Sequence, residues 1–183
     1  MKYVMGFDPG FASFGMAVVE LGKTVEKPIF MGVIRTKKST KRQKLLATED
    51  NFVRLQIIAE EVEKLVLQYD LVALSAESMS FPRNASSSAK VGMTWGVIAT
   101  TSVQHQLPMF QCTPQQLKIK MTGSRTASKT EVADALRKRY PNTDFEDLLK
   151  YLPMGEHEHA WDALASVVVC LDAEPVKMVR RLA

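Results

Sequence analysis

The chain has 183 residues, 46% of them hydrophobic and 24% charged, with a formal net charge of +4. That length fits one ordinary domain spanning 1–183 with one sizeable core, and the mild basicity permits a nucleic-acid partner without requiring one. No apolar run approaches the ~20 residues of a membrane span, and the N-terminus enters a strand with no n-region or cleavage site, so a cytoplasmic protein with no membrane partner is expected.

Tyr3, Val4, Met5 and Phe7 give a first strand, and Met16–Val19 with Leu21 a second. Between them Asp8 is followed at once by Pro9 and Gly10, which break a strand. One carboxylate thus stands near the end of a buried strand, where it is costly to bury unless paired or bound to a cation. By itself this tripeptide also suits a plain Asx-type turn. Gly10 and Gly15 lack a Cβ, so a phosphate or another backbone can come close.

Pro28–Arg35 reads as a third strand, completing an antiparallel meander. A basic loop is expected over Lys37–Asp50, with five basic residues among the eight from Lys37 to Lys44. Phe52–Tyr69 is a helix whose stripe of Leu55, Ile58, Val62, Leu65, Val66 and Tyr69 faces the core. Leu71–Ala76 is a buried strand ending on Glu77. A strand reached through a crossover helix is usually parallel to the one it joins, and sites in open α/β sheets gather at the carboxyl ends of strands. Asp8 and Glu77 are therefore expected to face each other at one edge of the sheet.

Asn84 suits the N-cap of a helix running to about Gln104. Its Gly92 and Gly96 invite close packing, within the chain or across a dimer. Leu107–Cys112 is a last strand, Gln115–Lys120 a short helix, Thr122–Ser128 a polar, basic loop, and Lys129–Tyr140 another helix. Glu156–Ala173 is the final helix, where His159 and Asp162 share a face and Glu158 lies nearly as close. Cys112 and Cys170 sit in apolar contexts and are expected as buried free thiols.

The charged groups held by apolar elements are Asp8, Glu77, Asp162 and one of His159 or Glu158. Crowded carboxylates repel unless a cation lies among them. Their hard oxygens select Mg²⁺ or Mn²⁺ over zinc. Two such ions are the usual apparatus for cutting a phosphodiester, and nearby lysines suit the substrate phosphates.

Four segments in order, GFDPGFASFG, AESMSFPRNASSSAKVGMTWGVI, TPQQLK with the later SKTEV, and HAWDALA, resemble the RuvC-type Holliday junction resolvases of the ribonuclease H-like superfamily. The resemblance runs nearly from end to end. It implies an α/β ribonuclease H-like fold, a mixed five-stranded sheet with a three-strand antiparallel meander plus parallel strands, flanked by helices. It implies that Asp8, Glu77, His159 and Asp162 bind two Mg²⁺, and that Lys118 and Lys129 meet the scissile region. Phe81, Arg83, Asn84 and Arg125 join those lysines as DNA contacts. The partners implied are four-way or branched DNA and a second copy of the chain, paired through the Ala85–Gln104 helix. Paired nicks on opposed strands would then resolve the junction.

Two departures stand out. Where the family's wedging aromatic lies, three residues after the second acid, this chain has Ser80, with Phe81 one later. The Lys37–Asp50 loop is longer and more basic than in a bacterial member, which fits a divergent, phage- or plastid-like relative acting on the nucleoid of a bacterium or a phage-infected cell. The alternatives are a general branched-DNA or ribonuclease H-type nuclease, an ATP-binding actin- or sugar-kinase-like protein, and a DNA-binding module with a dead site.

Overall fold

The computed structural model describes residues 1–40, 46–79 and 84–182. The expectations for Phe81 and Arg83, and for the basic residues from Lys41 to Lys44, fall outside the described residues. The strands are β1 (Lys2–Asp8), β2 (Ser13–Leu21), β3 (Glu26–Arg35), β4 (Leu71–Glu77) and β5 (Met109–Cys112), in one sheet of order β3-β2-β1-β4-β5. The pairs β1–β2 and β2–β3 are antiparallel, while β1–β4 and β4–β5 are parallel. This is the expected mixed five-stranded architecture. Pro28 lies inside β3, which is tolerable because β3 is an edge strand and the ladder shifts register beside it, between Val18 and Val19.

Alternation along β1 splits the core in two. Met5 and Phe7 join Ile58 and Val62 of α1 (Ala47–Gln68) and Ile98 of α2 (Ala85–Gln104) on one face. Val4 joins the other face, under Ala163, Leu164, Val167 and Val168 of α6 (His157–Cys170). That second layer also holds α3 (Pro114–Thr122), α4 (Lys129–Arg139), α5 (Phe145–Leu149) and α7 (Glu174–Leu182) through Leu117, Leu136, Phe145 and Val176.

Two boundaries differ from expectation. The loop before α1 is shorter, since the helix begins at Ala47, where Glu49 Oε2 accepts the Leu46 N–H at 2.8 Å. Its first turns bury Asp50 and Arg54 rather than expose them. The apolar stripe thus continues downward as a charged pair. The last expected helix ends at Cys170, and after a short break Pro175 lies in the first turn of α7. Helix α5 is too short to show a period.

Both cysteines are free and buried, and burial pushes each thiol up to about 12, so neither is a ready nucleophile. No helix among the described residues is long and apolar enough to cross a membrane.

Candidate active site

Asp8 and Glu77 end neighbouring parallel strands. The last paired residues are Phe7 and Ala76, so the two acids stand next to each other at the carboxyl end of the sheet. Asp8 shares the α6 side with Val4 and Gly6, four and two residues back.

Helix α6 reaches that edge because two glycines let it lie on the strands. Gly15 pairs with Asp8 across the hairpin. A Cβ built there would stand 2.2 Å from the His159 carbonyl oxygen. A Cβ on Gly6 would stand 2.3 Å from the Ala163 carbonyl oxygen. The close approach expected at Gly15 is thus one of backbone to backbone. Ser75, two residues before Glu77, donates its hydroxyl to the Ser166 carbonyl at 2.7 Å, and Ser166 donates to the Ala163 carbonyl at 2.8 Å. These buried bonds set how far along β4 the helix sits. Gly15→Ala is expected to cost about 1–3 kcal/mol by overpacking, several degrees of Tm. Gly155→Ala, which meets nothing within 4 Å, is the control and leaves Tm unchanged or slightly raised. Thermal melts followed by circular dichroism check both.

Asp8, Glu77, His159 and Asp162 line one cavity of about 370 Å³ with Lys118 and Lys129. Pro114, Leu117 and Val132 supply its apolar wall. The lysines ride on helices opened by reciprocal caps. Thr113 Oγ1 accepts the Gln116 N–H at 3.2 Å while Gln116 Oε1 accepts the Thr113 N–H at 2.8 Å. Ser128 and Glu131 repeat the arrangement at α4, whose first residue is Lys129.

Positive groups answer the acids. His159 Nδ1–H donates to Asp8 Oδ2 at 2.6 Å. Lys129 Nζ lies 3.1 Å from Glu158 Oε2 and 3.5 Å from Asp162 Oδ2. Burial, then the charges of Asp162 and Asp8, push the Glu77 carboxyl up to about 7. Burial and Asp8 likewise raise Asp162. The hydrogen bond to Asp8 raises His159. Burial pulls the Lys129 ammonium down, but Asp162 and Glu158 outweigh it and the net shift is upward.

The cavity therefore holds two acids, Glu77 and Asp162, that burial and neighbouring charge make easier to protonate than free carboxyls. Its donors are carboxylate oxygens with one imidazole, a set that fits Mg²⁺ or Mn²⁺. Among the described residues, no group of three or more His, Cys, Asp or Glu side chains is drawn into a coordinating cluster. Asp8 instead faces His159, and Asp162 faces Lys129.

Other expected site residues lie apart. Arg125 is exposed in the loop between α3 and α4, outside the cavity lining. Asn84 caps α2, its Oδ1 accepting the Ser86 and Ser87 N–H groups at 2.9 and 3.3 Å. The sequence reading missed the groups that hold the Asp8 turn from behind, Thr36, Arg54 and Thr94. For Arg54 the signal was present: Asp50, Arg54, Ile58 and Val62 recur every four residues on one face.

Comparison with known proteins adds the family. Residues 4–170 match the family model for crossover junction endodeoxyribonuclease RuvC. The RuvC of Thermosipho melanesiensis is 32% identical over 93% of this chain and 97% of its own length. That of Hydrogenovibrio crunogenus is 30% identical over 92% and 86%. Thermus thermophilus RuvC, solved in complex with a Holliday junction substrate, shares the fold with a TM-score of 0.70 at 20% identity, covering 97% of this chain and 96% of that one. The yeast mitochondrial Holliday junction resolvase Ydc2 does so at 0.63 and 7% identity, over 98% and 78%. With a family match across nearly its whole length and its acids gathered at the carboxyl edge of this sheet, the chain belongs to the RuvC family of crossover junction endodeoxyribonucleases.

Proposed function

We propose that this chain resolves four-way DNA junctions by metal-dependent hydrolysis of one phosphodiester on each of two opposed strands. The observation that carries the reading is the convergence of Asp8, Glu77, His159 and Asp162 with two lysines around one cavity. Asp8 and Glu77 end strands of one sheet and the helices packed on that sheet bring the other four residues, which supports reading 1–183 as a single nuclease domain.

Asp8, Glu77, Asp162 and His159 would hold two Mg²⁺ ions, with Mn²⁺ as a substitute. Divalent cations there supply an activated water and charge stabilisation at the leaving oxygen. The chain's own residues do the rest. Lys118 and Lys129 hold the phosphate oxygens by charge. Val132 and Leu117 keep bulk water from that wall. His159 keeps the Asp8 carboxylate aimed into the cavity through Nδ1–H.

Two strands must be cut, so two active sites are needed. A second copy fits the face of α2 opposite the sheet. Gly92 and Gly96 leave open space there. A groove of about 810 Å³ between α1 and α2 presents Met93, Val97 and Leu67. Leu67 is 72% exposed and Val103 77%, which favours an apolar partner surface.

The test is cleavage of a mobile four-way junction beside duplex, fork and RNA–DNA hybrid, with Mg²⁺. Symmetric nicks confined to the junction are expected. Equal cutting of forks would make the chain a general branch nuclease, and cutting of the hybrid alone would overturn the substrate.

The contacts made on α6 support His159 over Glu158. His159 touches Asp8, whereas Glu158 is 48% exposed and engages Lys129. His159→Ala is expected to slow cleavage about 100-fold or more, and Glu158→Ala less than about 10-fold. Single-turnover rates on the same junction decide it.

A further inference from the structure

The turn that follows Asp8 is held from outside the cavity by a buried polar assembly that no part of the proposed chemistry uses. Phe11 is 6% exposed, yet its ring belongs to neither apolar core. The Arg54 guanidinium lies 4.3 Å from its centroid and the Lys90 ammonium 5.8 Å. Arg54 itself is 8% exposed. Its Nε–H donates to Thr36 Oγ1 at 2.9 Å and its Nη2–H to the Thr36 carbonyl at 3.3 Å. Thr36 Oγ1–H in turn donates to the Phe11 carbonyl at 2.6 Å, and the Thr36 N–H to the Ala12 carbonyl at 2.9 Å.

Two further contacts complete the clamp. Asp50, 5% exposed, pairs with Arg54 Nη1 at 3.8 Å and accepts the Ser39 N–H at 2.7 Å. From α2, the buried Thr94 hydroxyl lies 2.7 Å from the Pro9 carbonyl and 2.8 Å from the Val91 carbonyl of its own helix, and shares its one proton between them. The carbonyls of Pro9, Phe11 and Ala12 are therefore each fixed by a side chain or strand from another element. Burying an Arg–Asp pair gains little stability compared with apolar residues of similar size. Its return here is geometric: a planar fork and a stacked ring admit one orientation.

We infer that Arg54, through Thr36 and Phe11, is a positioning residue for Asp8, with Thr94 as a second and independent anchor of the same turn. The inference deepens the nuclease reading and rests on it for its kinetic consequence. A small displacement of a catalytic carboxylate is enough to lose about 100-fold in rate. Arg54→Lys keeps the charge but loses the fork and the planar stack, so it does not substitute.

The experiment uses the full chain and a synthetic four-way junction. Arg54→Met, Arg54→Lys, Thr94→Val and the double variant Arg54→Met/Asp50→Asn are compared with the parent. The double variant guards against misfolding, because it leaves no unpaired buried acid while the amide oxygen introduced in place of the Asp50 carboxylate still accepts from the Ser39 N–H. Two readouts are taken. Single-turnover cleavage is expected to fall about 10- to 100-fold in the Arg54 variants, with junction affinity in Ca²⁺ within about twofold of the parent. Hydrogen exchange without DNA is expected to quicken in peptides covering Gly10–Phe14, and not in peptides covering β4.

Cleavage within twofold of the parent in a folded Arg54→Met/Asp50→Asn variant overturns the inference. So does a loss of rate matched by a loss of junction affinity, which would make Arg54 a DNA contact. Unchanged exchange over Gly10–Phe14 overturns it whatever the kinetics. If the parent cuts no junction, the nuclease reading has failed, and the exchange result still decides whether the clamp holds the turn.

Discussion

Asp8→Asn is expected to lower junction cleavage at least ~1000-fold while leaving junction affinity within about twofold. The amide is nearly isosteric, and its Oδ1 still accepts the His159 Nδ1–H, so the hairpin and the first turn of α6 stay in place. What disappears is one negative charge from the acids that would hold the cation. Single-turnover cleavage with Mg²⁺ beside gel-shift binding in Ca²⁺ separates the two effects. A variant that still cuts at a tenth of the parental rate would remove Asp8 from the reaction. The cavity lysines Lys118 and Lys129, proposed above to hold the phosphate, are untouched, which is why affinity should survive.

Glu77→Gln is expected to stabilise the protein while destroying its activity. In the folded chain the carboxyl is pushed up to about 7, against 4.5 for the unfolded group. An acid that binds its proton more tightly when folded opposes folding once ionised. That opposition is absent below about pH 4.5, grows between 4.5 and 7, and is complete above. The shift corresponds to ~3 kcal/mol at most, and partial exposure reduces it to about 1–2 kcal/mol. Melts in chelator should therefore show Glu77→Gln above the parent at about pH 8 and level with it near pH 4.5. Adding Mg²⁺ at about pH 8 should lift the parent and leave the variant nearly unmoved, by mass action on a site only the parent retains. Equal melting at that pH would mean that the Glu77 carboxyl is not strained by its neighbours.

Much of this site is legible in the sequence, for a physical reason. Asp8 and Glu77 each terminate a short apolar run, and such runs have few ways to arrange themselves in a sheet. The crossover between them makes the strands parallel, so their carboxyl ends coincide. His159 and Asp162 were legible because positions three apart on a helix share a face. Which of His159 and Glu158 completes the set was open from spacing, because i and i+4 are as close as i and i+3. The fold favours His159 by laying α6 across Gly15.

What stayed hidden depends on contacts between remote segments. Gly6 looks like any strand glycine until Ala163 is laid against it. Asp50 and Arg54 read as solvated charges, since a pattern of apolar residues has no place for a buried ion pair. Their burial becomes sensible only when Thr36 and Phe11 arrive from the meander. Helix α5 was missed because five residues are too few to display a period, and α7 because Pro175 reads as readily as the end of the preceding helix as the start of a new one.

The bond between Asp8 and His159 joins residues 151 positions apart. On the ribosome the first hairpin emerges long before its counterpart. At about 5–20 residues per second, the interval is on the order of ten seconds. During that time the nascent chain gains first Asp8 and then Glu77, both still without the helix that completes the set. On the proposed site, cutting would have to wait until α6 has been synthesised and has docked.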